Sequence, residues 1–227
     1  MKSLRNISIL AALTCVLVVA GPAVATTPLI DIGFNNLTGA FDGATTFTAS
    51  DNSLTTGTVQ RLKPVVGTAY YSAGFASIPG TSADFALSMT LSNILATTAD
   101  GVGSYTITDD DGTTFVGDIA GTWTLTDLGI IKFATFEGLV TNAVFGGNAD
   151  GTFDGPNGGS FSTDFSPTAM PMYGAILTLR IGNEWFTGSA FTGTVENVVI
   201  KIVPVPGALL LGLVGVSLVG WIRRRMA

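Results

Sequence analysis

From residue 84 the chain alternates with a period of two. Phe85, Leu87, Met89 and Leu91 fall on one side, and Ala86, Ser88, Thr90 and Ser92 on the other. This is the pattern of a strand with one buried face and one small, polar face. Tyr105 and Ile107 repeat it among Thr106 and Thr108, as do Trp123 and Leu125 among Thr122, Thr124 and Thr126. Tyr173, Ala175, Leu177, Leu179 and Ile181 continue it, and the last strand, 195–203, puts Val198, Ile200 and Ile202 on one face. Further strands are predicted at 29–34, 54–62, 69–71, 115–119 and 130–136. Asp42-Gly43, Asp100-Gly101 and Asp109-Asp110-Asp111-Gly112 read as turns, because Asp and Gly tolerate the dihedrals that tight turns need. Residues 146–160 are too glycine-rich for a strand interior and read as a wide surface loop. No stretch of the body keeps a helical period for three turns. Short strands at this spacing predict an all-β body, an antiparallel β-sandwich (jelly-roll-like) over 26–203.

The two ends follow other rules. In 1–25, Lys2 and Arg5 precede an apolar run at 7–20, Gly21-Pro22 breaks it, and Ala23-Val24-Ala25 forms an A-x-A site. These are the parts of a secretory signal peptide, cleaved between Ala25 and Thr26. At the other end, 204–227 reads as a tail. Val203-Pro204-Val205-Pro206-Gly207 is a proline-punctuated hinge, 207–222 carries no charge, and Arg223, Arg224 and Arg225 form a basic stop. As a helix, 207–222 is ~24 Å long, and starting from Val203 it reaches the ~30 Å of a bilayer core. The arginines hold the C-terminus in the cytoplasm and the leader exports the body.

Composition narrows the chemistry. All sixteen acidic residues lie in the body against five basic ones (Arg61, Lys63, Lys132, Arg180 and Lys201), a net charge of −11. That balance argues against nucleic acid, whose phosphates need basic neutralisation. The chain has no histidine, and its one cysteine, Cys15, lies in the leader. Ser-His-Asp and Cys-His catalysis, Cys/His zinc sites and disulfides are therefore excluded from the mature body.

Two loops carry oxygen ligands. Asp109, Asp111, Gly112 and Asp118 mimic part of an EF-hand, but the first ligand position is the apolar Ile107 and the flanks read as strands, so an EF-hand is rejected. Asn148, Asp150, Asp154 and Asn157 fall within one loop at a spacing that can wrap Ca²⁺; the alternative is that these residues simply build tight turns. No other cofactor is expected. A two-carboxylate glycosidase using Glu137, Glu184 and Glu196, with Trp123 or Trp185 stacking on sugar, is chemically permitted but has no local motif behind it. The body is expected not to be an enzyme. Sugar binding without catalysis would use Tyr70, Tyr71, Tyr173 and Trp185; core packing is the competing role for each ring.

The tail residues Pro204-Val205-Pro206, the apolar stretch 207–222 and Arg223 to Arg225 resemble the PEP-CTERM family of exported bacterial proteins. That resemblance covers about the last 25 residues and the general plan, with Val205 where the family usually has Glu. It implies recognition of the tail by an exosortase-like sorting enzyme and membrane anchoring through 207–222 before processing. It also implies display at the cell surface or in the extracellular matrix, in association with exopolysaccharide and biofilm. The expected function is thus an exported, non-enzymatic surface or matrix protein. A carbohydrate-binding module on the same anchor is the alternative, and a glycosidase a more distant one.

Overall fold

The computed structural model describes residues 29–62, 65–72, 84–148, 150–164, 172–173, 176–182 and 184–204. The leader 1–25, including Ala23 and Ala25, and Thr26 after it lie outside the described residues, as do Val205, Pro206, Gly207, the apolar segment 207–222 and Arg223 to Arg225. Among the described residues no helix is long and apolar enough to cross a membrane.

Period-2 alternation becomes strand throughout. The strands in chain order are β1 (Ile30–Phe41), β2 (Thr46–Ser50), β3 (Thr56–Leu62), β4 (Val65–Tyr71), β5 (Asp84–Ser92), β6 (Thr98–Thr108) and β7 (Thr113–Asp127). They continue with β8 (Lys132–Gly147), β9 (Thr152–Asp154), β10 (Ser160–Ser162), β11 (Met172–Tyr173), β12 (Ile176–Gly182) and β13 (Phe191–Pro204). All pairings are antiparallel. The order β1-β2-β5-β6-β7-β8-β12-β13 returns to β1, because β13 pairs β1 from Ile30↔Ile202 to Phe41↔Phe191. The body is therefore an eight-stranded, closed, up-and-down barrel, not the sandwich expected. Closure leaves the eight-stranded ring itself without an edge strand, and an even strand number lets an all-antiparallel ring close.

One corner of the ring is built at Asn36, a non-glycine residue with φ 60°. Before it β1 pairs β3, and after it β1 pairs β2. The Asn36 carbonyl accepts hydrogen bonds from Asn52 Nδ2 (2.7 Å) and Thr55 Oγ1 (3.0 Å), which fixes the change of partner. The β3–β4 hairpin leaves the ring here as a flap.

The barrel interior is a packed aromatic core. Phe85, Leu87, Met89 and Leu91 are all buried, as are Val198, Ile200 and Ile202. Trp123 sits among Phe47, Phe136 and Phe186 with ring centroids 5.1, 5.4 and 5.2 Å away, and its indole N–H points at Met89 Sδ at 3.1 Å. Phe186, from the segment between β12 and β13, closes one end against Phe41 and Phe191. At the other end Phe153 and Phe161 stack on each other, and both pack against Phe145. Burying one such ring contributes roughly 1.5–3 kcal/mol. The outer face carries exposed Ser88, Thr90, Ser104, Asp118, Thr122, Glu137 and Thr141, with Val102, Leu139 and Val144 as apolar exceptions. Apolar inside and polar outside is the reverse of the alternation by which a transmembrane barrel faces lipid.

Four local expectations are corrected. Asp100-Gly101 does not turn the chain; both residues lie within β6, and Gly101 is small because Met89 Sδ and the Phe136 ring stand 3.0 Å from where its Cβ would be. The turn comes earlier, at 93–97, with Asn93 at φ 48°. Residues 115–119 and 122–126 are one strand, β7, since Gly121 packs against the Glu137 carbonyl instead of breaking the ladder. Ile130 and Ile131 precede β8 at an exposed hairpin tip. Finally, the stretch 146–160 is no open loop: β9 and β10 form a hairpin across it, because Phe153 and Phe161 have the end of the barrel to bury against.

Candidate functional site

The aspartates do first what turns require of them. Asp42 Oδ1 accepts from the backbone N–H groups of Ala44, Thr45 and Thr46, and so caps the β1–β2 turn. Asp109 does the same between β6 and β7. Its Oδ1 accepts from Asp111, Gly112 and Thr113, and its Oδ2 accepts from the Asp154 N–H at 3.0 Å. That last bond ties the β6–β7 turn to β9. The Asp109 side chain is fully buried, and burial raises its carboxyl to about 6, against the backbone donors that favour the ionised form. Asp111 is held below the usual range by its hydrogen bond with Asp109 and by Asn148. Asp110, partly shielded from water and facing Asp154 and Asp111, is raised.

The β9–β10 hairpin thereby brings three carboxylates together. One oxygen each of Asp111, Asp150 and Asp154 lie within 4.8 Å of one another, and Asp109, Asp110 and Asp111 form a second such group. Oxygen-only donors at this separation suit a hard divalent cation. The same carboxylates are already engaged by protein donors. Asp111 Oδ1 accepts from the Thr113 N–H and Oγ1, and its Oδ2 accepts from Asn148 Nδ2 at 2.9 Å. Asp150 accepts from the Thr152 N–H at 2.7 Å, and the Thr152 hydroxyl lies within hydrogen-bond distance of both Asp150 and Asp154.

Of the four residues read from the sequence as calcium ligands, Asp150 and Asp154 meet. Asn148 stands beside them, presenting its NH₂ to Asp111. Asn157 faces the other way, its side-chain oxygen accepting from the Ser72 N–H. Asp111 joins the group although it is almost 40 positions upstream of Asp150, and only the β6–β7 turn packing on β9 reveals that proximity.

Asn157 belongs to a latch. The Gly158 carbonyl accepts from the Tyr70 N–H at 3.1 Å, and the Tyr70 carbonyl accepts from the Asn157 N–H at 3.1 Å, so the loop between β9 and β10 pairs with the outer edge of β4. Gly155 and Gly159 permit this approach: a Cβ on either would collide with the backbone of Tyr70 or Thr68. The glycine-rich composition thus serves close backbone contact, and it covers an edge that would otherwise be open to pairing.

The rings proposed for sugar stacking separate sharply. Trp123 is core and unavailable. Tyr71 is buried and donates its hydroxyl to the Thr108 carbonyl. Trp185 is half-buried, with its indole N–H donating to the Leu95 carbonyl at 3.0 Å. Tyr70 is 51% exposed. The Tyr173 side chain lies outside what is described. Of the three glutamates, Glu137 is exposed on β8 and Glu196 pairs with Arg180 at 3.1 Å. Val203 and Pro204 of the hinge are backbone partners of Tyr173 and Met172 in the β11–β13 ladder. No protein-family model, no curated protein and no solved structure matches this chain.

Proposed function

We propose that the protein is an exported, non-enzymatic cell-surface or extracellular-matrix protein, sorted by its C-terminal tail. The observation that carries this reading is the order of parts at the end of the sequence: the Val203-Pro204-Val205-Pro206-Gly207 hinge, the uncharged run 207–222, and Arg223 to Arg225, opposite a leader ending at Ala25. The exported body is the segment 26–203, and the tail places it at a membrane until an exosortase-like enzyme acts. Exopolysaccharide is the partner the resemblance implies, and nucleic acid is not one. No cofactor is needed for such a role, and calcium is the cation its acidic turns would suit. Mass spectrometry of the protein recovered from producing cells tests the reading. An N-terminus at Thr26 and a C-terminus between Pro204 and Gly207 support it. An intact leader, or a body found in the cytoplasm, would sink it; an intact Arg223-Arg224-Arg225 end with a cleaved leader reduces the tail to a plain anchor.

A second reading, a carbohydrate-binding body on the same tail, is favoured by one observation. Tyr70 is the tyrosine among the sequence candidates with a described, largely exposed side chain.

A further inference from the structure

The flap formed by β1, β3 and β4 has two unlike faces. The inner face is sealed: Phe34, Val59, Ala69 and Tyr71 are buried. On the outer face, Gly33, Thr58 and Tyr70 stand in one cross-strand row, because Gly33 pairs Thr58 and Thr58 pairs Tyr70. Asn35 pairs Thr56 in the neighbouring row. Together with Ser72 these residues line an open groove of about 470 Å³.

Three properties of this groove point to a ligand class. Its floor is bare at Gly33, where an added Cβ would meet nothing within 4 Å, so a flat ligand can lie against backbone. Its wall is the exposed ring of Tyr70. That ring is braced from behind, since its Cδ2 and Cε2 stand 2.7 and 2.9 Å from where a Cβ of residue 159 would be, and Tyr70 N–H and C=O are both engaged by the latch loop. A ring held in this way loses little freedom when a ligand stacks on it. Its rim is Asn35, Thr56, Thr58 and Ser72, an amide and three hydroxyls with no Lys or Arg among the lining residues. A flat apolar platform beside neutral donors and acceptors matches a pyranose, which offers C–H groups on one face and hydroxyls at its edge. The lack of a lining cation, within a body of net charge −11, disfavours uronates, sulfates and phosphates. An extended peptide would add to a strand edge, and the β4 edge is already occupied by 157–158.

We propose that the outer face of the β1–β3–β4 flap binds a neutral polysaccharide, with one sugar ring stacked on Tyr70 and its hydroxyls bonded to Thr58, Thr56 and Asn35. This rests on the carbohydrate-binding reading and adds to it a place and a ligand class.

The test uses the full-length protein in detergent, read by biolayer interferometry against immobilised dextran, xylan, galactomannan and β-glucan, with polygalacturonate as the acidic comparator. Binding to at least one neutral polymer is expected. Tyr70→Ala should weaken it at least about tenfold, Tyr70→Phe should keep it, and Thr58→Lys should abolish it by filling the groove centre. Tyr70→Phe and Thr58→Lys should melt with the wild type, because Tyr70→Phe keeps the ring and Thr58 is exposed; Tyr70→Ala, which removes a ring packed on Gly159, should melt somewhat lower but stay folded by circular dichroism. If neutral glycans bind but Tyr70→Ala and Thr58→Lys leave affinity unchanged, the place is wrong while the carbohydrate reading stands. If no polymer binds, both fall. Binding to polygalacturonate alone overturns the neutral class.

Discussion

Phe34 of β1 fills the space that a side chain at Gly57 of β3 would need; a Cβ built at residue 57 would overlap the Phe34 ring and crowd the Gly33 carbonyl. The two residues are direct partners in the β1–β3 ladder. The flap can lie on the barrel only because one strand offers a ring and the other offers nothing. Gly57→Ala should therefore cost about 1–3 kcal/mol, a fall of several degrees in Tm at about 2–4 °C per kcal/mol. Differential scanning calorimetry checks this, and a wild-type Tm would show that the ring has room to move.

Tyr105 poses the opposite problem. Its ring is 1% exposed and packs over Gly117, yet its hydroxyl has no hydrogen-bond partner among the described residues. Burial alone pushes its ionisation far above the ordinary tyrosine range. A buried hydroxyl left unsatisfied costs about 1–3 kcal/mol. Tyr105→Phe should accordingly raise stability by roughly 1 kcal/mol in urea titration. A variant less stable than the wild type would mean that the hydroxyl is bonded in solution.

Stability should also depend on pH through Asp109. Its carboxyl is near 3.8 when unfolded and is raised to about 6 in the fold, chiefly by burial. Between these values the folded state holds the extra proton, so stability rises as pH falls from about 6 towards 4 and is level above that window. The gain should be on the order of 1–2 kcal/mol over this window. Asp109→Asn should flatten the profile. Thermal melts from pH 4.5 to 7.5 read the slope, and a Tm that climbs with pH across this range would contradict the assignment.

The cluster of Asp111, Asp150 and Asp154 is expected to behave as a set of turn caps. Each of the three already accepts a hydrogen bond from the protein, from Thr113 and Asn148 on one side and Thr152 on the other. Melting in excess chelator and in millimolar Ca²⁺ should give the same Tm. A rise of several degrees with Ca²⁺ that Asp150→Asn removes would instead make the cluster a metal site, since a ligand bound only to the folded state stabilises it by mass action.

A last contrast separates core from surface among apolar residues. Trp123→Ala should cost about 3–5 kcal/mol, because the rings of Phe47, Phe136 and Phe186 all lose a neighbour. Ile130→Ser, at a hairpin tip and 97% exposed, should change stability by less than about 0.5 kcal/mol. Chemical denaturation of both variants reads the difference, and equal losses would show that the tip is buried in solution.

Much of the barrel was legible in the sequence, strand by strand. Alternation identified which side of β5 is buried, and Phe85, Leu87, Met89 and Leu91 are all inside. It placed Val198, Ile200 and Ile202 together on the inner face of β13. Asp-Gly marked the turn at Asp42-Gly43 but misplaced one at Asp100-Gly101. There the glycine serves the packing of Met89 and Phe136, and a local pattern cannot distinguish a glycine that bends from one that makes room.

What the sequence settles alone is the buried face of strongly alternating strands such as β5 and β13, and the absence of imidazole from the whole chain. Period-2 patterning is a property of one strand and its own side chains, so it is visible without a partner. Tertiary structure decided the rest. Ile30 and Ile202 lie at opposite ends of the body, and their pairing closes the ring. Nothing in either segment names the other, because backbone hydrogen bonds carry no sequence label and any strand of the same alternation fits. The meeting of Asp111 with Asp150 and Asp154, and the bracing of Tyr70 by the glycine-rich latch, arise in the same way. Both depend on where the β9–β10 hairpin buries Phe153 and Phe161, and that place exists only once the barrel has closed.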